Sequence, residues 1–222
     1  MAIPTMTSIL ATPLSQIELT PGSALQISGL SWDSYGALLE ELGETRATRI
    51  AYDQGVLEIR MPGQLHEVIS QVLAAIILTL AEESGLECNN LGSMRMNRPD
   101  LAKGVEPDGC FYLQNAHAGQ GMGSRTPLEL PPDGVLEVDI ANRSDHKLSI
   151  YQAMPIPEVW LYRQEALTFL VLQDGDYQPQ PVSRAFPFVT DDQLNQWIQL
   201  RKTGTDLTVI RAVRQFYRDR LR

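Results

Sequence analysis

Three acidic residues, Asp108, Glu137 and Asp139, lie inside otherwise apolar segments of the sequence. An unpaired carboxylate buried in a strand costs free energy, so such residues usually have a cation or a hydrogen-bond donor beside them. Glu137 and Asp139 are two residues apart on one predicted strand and therefore point to the same face of a sheet. If the strand that follows Asp108 pairs beside theirs, the three acids converge. A site with only oxygen ligands suits a hard divalent ion, so the pattern predicts Mg²⁺ or Mn²⁺ rather than Zn²⁺.

Each of these acids also has a simpler interpretation. Asp108 follows Pro107, and an aspartate after proline often begins a turn. The apolar residues that come after Asp108 favour instead the mouth of a strand and a metal ligand. Glu137 fits an exposed position on an alternating strand, and only a partner in Asp108 favours the metal ligand. Asp139 fits a cap for the loop at 141–143.

A lysine and a tyrosine follow the acidic strand at helical spacing. Ser144 is predicted to cap a short helix, which ends before Pro155 and Pro157. Lys147 and Tyr151 are four residues apart and share one face of that helix. Their place directly after the acidic strand favours a role at the same site, and the alternative is a solvated lysine beside a core tyrosine.

The rest of the sequence alternates between helical and strand patterns. Ser31 is predicted to cap a helix that Gly43 ends, and a strongly apolar helix is predicted from about His66 to Ser84. Strands are predicted at 48–52 and 56–61 in a hairpin around Asp53-Gln54-Gly55, and then at 86–96, 104–113, 134–140, 158–162 and 167–172, with a last hairpin toward Tyr177. This mixture predicts an α/β (α+β) fold, in which a central mixed β-sheet is flanked by helices.

Length and composition bound the domain organisation. A chain of 222 residues with 43% hydrophobic residues fits one domain with a substantial core. Residues 1–30 are rich in Pro, Thr and Ser and show no sustained period, which predicts an extended N-terminal arm. The single domain then covers residues 31–222 and ends in helices at 192–200 and 206–221.

Several classes of protein are disfavoured. No apolar run reaches membrane-spanning length, and the N-terminus lacks the basic region of a signal peptide. Without an export signal, Cys88 and Cys110 are predicted to be reduced thiols in the cytoplasm. The two cysteines form no C-x-x-C pair and the three histidines are scattered, which argues against a zinc site.

The net charge of −9 argues at first against a nucleic-acid partner. Basic residues are nevertheless concentrated in the last predicted helix, where Arg211, Arg214, Arg218 and Arg222 form a stripe beside its apolar face. Such stripes are most often solvated or paired with acids elsewhere in the chain. A role of Arg211, Arg214 and Arg218 in following a phosphate backbone is the second interpretation.

The order of these features resembles the PD-(D/E)XK nuclease superfamily, and more narrowly the Uma-type bacterial family of putative restriction endonucleases. The resemblance covers roughly residues 30–200. It rests on the early Asp-x-Gly hairpin, a helix that opens at His66-Glu67, Pro107-Asp108, Glu137-Val138-Asp139, the Lys147-x-x-x-Tyr151 helix and Pro-Glu-Val-Trp at 157–160. The Pro-Asp dipeptide alone carries little information, whereas the full order of elements is moderately specific.

The resemblance implies a restriction-endonuclease-like fold and a divalent-metal-dependent endonuclease that hydrolyses DNA phosphodiester bonds. It implies Asp108, Glu137 and Lys147 as catalytic residues. It also implies a Mg²⁺ or Mn²⁺ ion held by Asp108 and Glu137, with Asp139 as a further ligand. The expected supporting residues are Tyr151, His66 and Glu67. DNA is the expected substrate, and a homodimer is left open.

One position departs from the superfamily pattern. The pattern places a lysine two residues after the second acid, and here that residue is Asp139. A lysine relocated to the neighbouring helix is a variation also seen in the superfamily, and Lys147 fits it. The alternative is a catalytically degenerate module that has the same fold and binds nucleic acid or protein.

Overall fold

The computed structural model describes residues 17–43, 46–121 and 130–220 of the chain. These residues form eleven strands and five α-helices. The strands are β1 (Ala24–Ser28), β2 (Arg49–Asp53), β3 (Val56–Arg60), β4 (Asn89–Asn90), β5 (Met96–Arg98), β6 (Lys103–Val105), β7 (Gly109–Tyr112), β8 (Gly134–Asp139), β9 (Glu158–Arg163), β10 (Ala166–Gln173) and β11 (Asp176–Gln180). The helices are α1 (Trp32–Leu42), α2 (Gln64–Glu83), α3 (Asp145–Ala153), α4 (Asp191–Leu200) and α5 (Asp206–Arg220).

The strands divide into two sheets. The first has the order β1-β3-β2-β6-β5, and all of its pairs are antiparallel. The predicted hairpin is confirmed by β2 and β3, whose turn residues Gln54 and Gly55 both have positive φ, as a tight two-residue turn requires. β1 pairs with β3, so this part of the predicted arm is an edge strand. Residues 1–16 lie outside the described residues, and the division into an arm and one domain stays a prediction.

The second sheet has the order β11-β10-β9-β8-β7-β4. It is mixed, because β8 and β9 are parallel while the other neighbours are antiparallel. Helix α3 makes the crossover between the two parallel strands, as such a connection requires. All six residues of β8 are buried, as expected for a central strand. The predicted mixed α/β fold is confirmed, and the division of its strands into two sheets is an addition to that prediction.

Helix α2 supplies much of the core against the second sheet. Its buried face includes Val72, Leu73, Ile76 and Leu80, which pack in one cluster with residues of β8, β9, α4 and α5. The helix is 20 residues long and apolar enough to span a membrane by length and composition, although no apolar run of that length was expected from the sequence. More than half of its most apolar part is buried inside the fold, which accounts for its composition without a bilayer. The predicted cytoplasmic location stays a prediction.

The helix α1 follows its predicted boundaries. The Oγ atom of Ser31 accepts a hydrogen bond from the backbone N–H of Ser34, and Gly43 ends the helix with a φ of 66°. Tyr35 of α1 stacks on Tyr52 of β2 with ring centroids 4.6 Å apart. The helix is thereby fixed against the first sheet.

The segment Glu106-Pro107-Asp108 crosses from the first sheet to the second. The N–H of Glu106 donates to Ile50 in the first sheet, and the N–H of Asp108 donates to Leu136 in the second. Pro107 has no N–H to contribute to either ladder. The single strand predicted at 104–113 is therefore wrong, because β6 and β7 belong to different sheets. The predicted strand 86–96 is also wrong over most of its length, since only 89–90 and Met96 are in strands.

Candidate active site

Asp108 and Glu137 come together where β7 and β8 pair. Gly109 of β7 lies opposite Leu136 of β8, which places the two acids side by side at this end of the strands. The Oδ2 atom of Asp108 accepts a hydrogen bond from the N–H of Val138 at 2.8 Å. The side chain of Asp108 is 2% exposed and that of Glu137 is fully buried. The predicted convergence of these two carboxylates is therefore present in the structure.

Helix α3 surrounds the Glu137 carboxylate with donors. The Nζ atom of Lys147 lies 3.0 Å from each carboxylate oxygen, and Tyr151 donates its hydroxyl hydrogen to Oε1. The Oγ atom of Ser144 lies 2.7 Å from Oε2. Lys147 and Tyr151 share a helix face, as their spacing predicts, and both are buried rather than solvated. The short loop from β8 to α3 is what brings these donors back over the acidic strand.

His66, in the first turn of α2, contacts Asp108 from the other side. Its Nε2 atom lies 2.9 Å from Oδ2 of Asp108. Its Nδ1 atom is buried and has no hydrogen-bond partner in the described part of the chain. Glu67 lies outside the cluster, because its half-exposed carboxylate approaches only the other edge of His66 and the side chain of Arg49. The structure thus brings one member of the predicted His66-Glu67 pair to the site.

Asp139 forms its hydrogen bonds with Arg163 and Ser144. Arg163 of β9 donates to its Oδ2 atom from Nε at 2.9 Å and from Nη2 at 2.6 Å. Its two oxygens also lie 3.0 Å from the N–H and 2.6 Å from the Oγ of Ser144. In residues 17–43, 46–121 and 130–220, no three His, Cys, Asp or Glu side chains are grouped to hold a metal ion. As placed here, Asp139 anchors the loop after β8, and the predicted three-acid set is not formed.

Ser144 differs from its prediction as a helix cap. Its side chain makes no capping hydrogen bond with α3. Its hydroxyl instead lies between the carboxylates of Glu137 and Asp139 and also accepts a hydrogen bond from Nη1 of Arg60 at 3.3 Å. The single hydroxyl hydrogen can be donated to one of these two carboxylates at a time, and it is used here instead of in a helix cap. Ser144 therefore links the acidic strand to the first sheet.

Sequence reasoning missed Ser144, Arg60 and Arg163 as parts of this network. Arg60 is buried, contacts Ser144, and lies 3.9 Å from Asp139. An arginine inside a strand, between Ile59 and Met61, is a signal for a carboxylate partner, because an unpaired buried charge is costly. Arg163 ends β9, which can be read from the sequence, but its pairing with Asp139 depends on the parallel register of β8 and β9.

The two acids differ in acidity. Burial raises the pKa of Glu137. The positive charge of Lys147 lowers this pKa, the negative charge of Asp108 raises it, and the net result is a raised pKa. Burial would also raise the pKa of Asp108, but the hydrogen bond from His66 and the charge of Lys147 outweigh it and hold that pKa below its ordinary value. Burial and the charge of Glu137 raise the pKa of Tyr151, which therefore keeps its proton as a donor. Asp108 is the stronger acid of the pair.

A cavity of about 70 Å³ opens beside Asp108. His66 and Val138 also line it, together with the apolar side chains of Leu65 and Ile140. Both described contacts of the Asp108 carboxylate use its Oδ2 atom. Two adjacent carboxylates with no sulfur or second imidazole form a donor set that fits a hard divalent cation.

The arginines of α5 are remote from this cavity. Arg214 contacts Glu82 at 2.7 Å and Glu83 at 3.3 Å, at the opposite end of α2 from His66. Sixteen residues of helix separate Glu82 from His66, which corresponds to about 24 Å. Arg211 and Arg218 are exposed. Arg214 is thus engaged within the molecule, and the predicted nucleic-acid role of the stripe stays a prediction.

Comparison with known proteins places this chain in a family. A solved structure described as a putative nuclease belonging to DUF820, from Anabaena variabilis ATCC 29413, has a similar fold. Its TM-score is 0.54 at 13% sequence identity, over 76% of this chain and 99% of the other. No curated protein sequence matches the chain. The model of the Uma2 family, described as putative restriction endonuclease, matches residues 32–208, a span that contains Asp108, Glu137 and Lys147. The chain therefore belongs to the Uma2 family of putative restriction endonucleases.

Proposed function

We propose that this protein is a divalent-metal-dependent endonuclease that hydrolyses DNA phosphodiester bonds, with Asp108, Glu137 and Lys147 as its catalytic residues. The observation that carries the proposal is their convergence. Two buried carboxylates from neighbouring strands and one buried ammonium group meet, and one of these carboxylates, Asp108, lines a cavity. Membership in a restriction-endonuclease family supports the same reaction.

Asp108 and Glu137 would hold the metal ion, Mg²⁺ or Mn²⁺. Such an ion, when bound, polarises a phosphoryl oxygen and lowers the pKa of a bound water. Asp108 is the principal ligand, because its pKa is lowered and it faces the cavity. Asp139 is not a ligand in this proposal, since Arg163 and Ser144 already use its oxygens.

Lys147 would stabilise negative charge that develops on the phosphate or orient the attacking water. It takes the role of the lysine that the family pattern places two residues after Glu137. Tyr151 and Ser144 hold the Glu137 carboxylate in place, and His66 does the same for Asp108. Such fixed donors and dipoles accelerate a reaction because they need no reorganisation as charge develops.

A second candidate is a module that binds nucleic acid or protein without cleaving it. It is favoured by the internal pairing of the site, in which Lys147, Tyr151 and Ser144 all engage Glu137. A network that is satisfied in this way is stable without a metal ion or a substrate. The two candidates differ in one property, which is turnover.

The test is cleavage of supercoiled, linear and single-stranded DNA with Mg²⁺, Mn²⁺ or EDTA. We expect the wild type to cut only with a divalent ion, and we expect Asp108→Asn and Lys147→Met to remain folded and fail to cut. The control variants Asp100→Asn and Lys202→Met change exposed, paired side chains by the same chemistry and should cut normally. A wild type that binds DNA but cuts nothing with any ion would favour the binding module.

A further inference from the structure

A cleft of about 580 Å³ lies where the first sheet meets the Glu106-Pro107-Asp108 segment. Three arginines, Arg46, Arg49 and Arg95, line it with Thr48 and Ser93. Glu106 is the only carboxylate among the lining residues in the described part of the chain. The lining therefore carries an excess of positive charge in a protein whose net charge is −9.

Glu106 balances only part of this charge. Its Oε1 atom accepts hydrogen bonds from Arg46 and, at 3.0 Å, from Arg95, and its Oε2 atom accepts one from the N–H of Ile50. Among the residues that the structure describes, the one ion pair of Arg49 is a long contact of 3.9 Å with the half-exposed carboxylate of Glu67. The three guanidinium groups of the cleft therefore carry more positive charge than its one carboxylate neutralises. Like charges held close together repel each other, and a bound anion would reduce this repulsion.

The guanidinium groups are partly removed from water. The side chains of Arg46, Arg49 and Arg95 are 11%, 20% and 26% exposed. The Nε atoms of Arg46 and Arg49 are buried and have no hydrogen-bond partner in the described residues. A desolvated guanidinium presents a rigid fork of donors that matches the oxygens of a phosphate.

Two contacts link the residues of the cleft to those of the candidate active site. The carbonyl oxygen of Glu106, whose side chain faces the arginines, accepts a hydrogen bond from Nζ of Lys147 at 3.3 Å. Glu67, the partner of Arg49, is the neighbour of His66, which contacts Asp108. One residue, Pro107, separates Glu106 from Asp108, so their Cα atoms are at most about 8 Å apart along the chain. In double-stranded DNA, the phosphates of one strand are spaced about 3.4 Å apart along the helix axis. A phosphate in the cleft would therefore lie within a few nucleotides of the reacting phosphate.

We propose that this cleft binds a backbone phosphate of the DNA strand that enters the active site, through Arg49 and Arg95, with Arg46 holding Glu106 in place between them. The inference rests on the proposed function only in taking DNA as the ligand. It assigns substrate contact to the face that carries Asp108, and not to the arginine stripe of α5. Because the contact is to phosphate, it contributes to affinity for any DNA sequence.

The experiment measures the affinity of the full-length protein for a labelled DNA duplex in EDTA, so that no cleavage occurs, over a range of NaCl concentrations. Each phosphate contact adds about 0.9 to the slope of log K against log salt concentration. The double variant Arg49→Gln/Arg95→Gln should bind more weakly, with a slope smaller by about 1 to 2. The double variant Arg211→Gln/Arg218→Gln removes the same charge from α5 and should keep the wild-type slope.

Two further variants test whether a loss of binding comes from the cleft itself and not from a loss of folding. Ser93→Glu places a carboxylate in the cleft without disturbing the Glu106 pairs and should also weaken binding. Arg49→Lys/Arg95→Lys keeps the charge and should retain most of the slope. Thermal unfolding of each variant confirms that the protein is folded.

The outcomes separate this inference from the proposed function. If the cleft variants lower the slope, the inference stands even where the wild type fails to cleave in the assay with metal ions. If they bind with the wild-type slope while the wild type cleaves, the inference is overturned and the nuclease proposal survives. A wild type that binds no duplex, but whose melting temperature rises with inorganic phosphate, also overturns it, because the cleft is then a site for small anions.

Discussion

The ammonium group of Lys147 lies 3.0 Å from both carboxylate oxygens of Glu137, and neither side chain is more than 1% exposed. The family pattern would place this lysine on the acidic strand, where Asp139 stands. Here it comes from the crossover helix α3, ten residues later. In the proposed function, stability and chemistry therefore depend on the same two residues.

The first prediction concerns that pair. Lys147→Met leaves a buried carboxylate without its cation, and breaking a buried pair costs about 3–5 kcal/mol. The double variant Lys147→Met/Glu137→Gln removes both charges and should be destabilised by less than the sum of the single variants. Urea unfolding of the four proteins measures this coupling. Additive effects would show that the two groups do not stabilise each other.

The second prediction concerns the metal ligands. Millimolar Mn²⁺ or Mg²⁺ should raise the melting temperature, because a ligand that binds only the folded state stabilises it. Asp108→Asn and Glu137→Gln should lose this shift, and Asp139→Asn should keep it, because Asp139 is bound to Arg163. Differential scanning fluorimetry checks all four proteins. Loss of the shift in Asp139→Asn alone would return Asp139 to the ligand set.

The third prediction concerns helix α5. Arg214→Gln should lower the free energy of unfolding only slightly, since it removes solvent-exposed pairs with Glu82 and Glu83. The effect should shrink at high salt, where exposed charges are screened. DNA affinity should not change. A loss of affinity with unchanged stability would restore the stripe as a binding surface.

The fourth prediction concerns acid stability. Burial would raise the pKa of Glu58, but contact with His146 and the charge of Arg60 outweigh it and lower that pKa from its ordinary 4.5. A carboxyl group whose pKa is lower in the folded state than in the unfolded state stabilises the protein at pH values above the unfolded-state pKa. This stabilisation is lost as the pH falls through the folded-state pKa. Glu58→Gln should therefore be less stable at neutral pH and lose less stability below about pH 4.5. The exposed Glu40→Gln is the control, and parallel pH profiles for wild type and Glu58→Gln would contradict the assignment.

The fifth prediction concerns the thiols. Burial raises the pKa of Cys88 to about 11 and that of Cys110 to about 12. The reactive thiolate is therefore scarce at pH 8, and both cysteines should react slowly with Ellman's reagent in the native protein. They should react at ordinary rates in denaturant. Rapid native reaction of either thiol would show that its surroundings open in solution.

Local sequence patterns predicted the elements that depend on local physics. The cap at Ser31, the tight turn at Gln54-Gly55 and the periodicity of α2 all appear in the structure close to their predicted places. The side-by-side arrangement of Asp108 and Glu137 was expected on the condition that their strands pair, and β7 and β8 do pair.

The remainder depends on contacts between distant segments. The sequence 104–113 is apolar enough for one strand, and only the positions of Ile50 and Leu136 show that Pro107 divides it between two sheets. Asp139 is a plausible metal ligand until the parallel register of β8 and β9 places Arg163 beside it. The arginine cleft joins residues about fifty positions apart, and no local pattern marks it.

The pairing of β1 with β3 has a consequence for shortened forms of this protein. β1 covers the outer edge of the first sheet, and Gly22 just before it accepts a hydrogen bond from Nδ2 of Asn142 at 2.9 Å and lines the cavity beside Asp108. A chain that starts at Ser31 would lose this wall and leave the backbone N–H and C=O groups of Val56–Arg60 open on one side. Uncovered strand edges recruit strands from other molecules. Removal of the segment before α1 would thus make β3, which is more buried than β1, the edge strand, and would open one wall of the cavity beside Asp108.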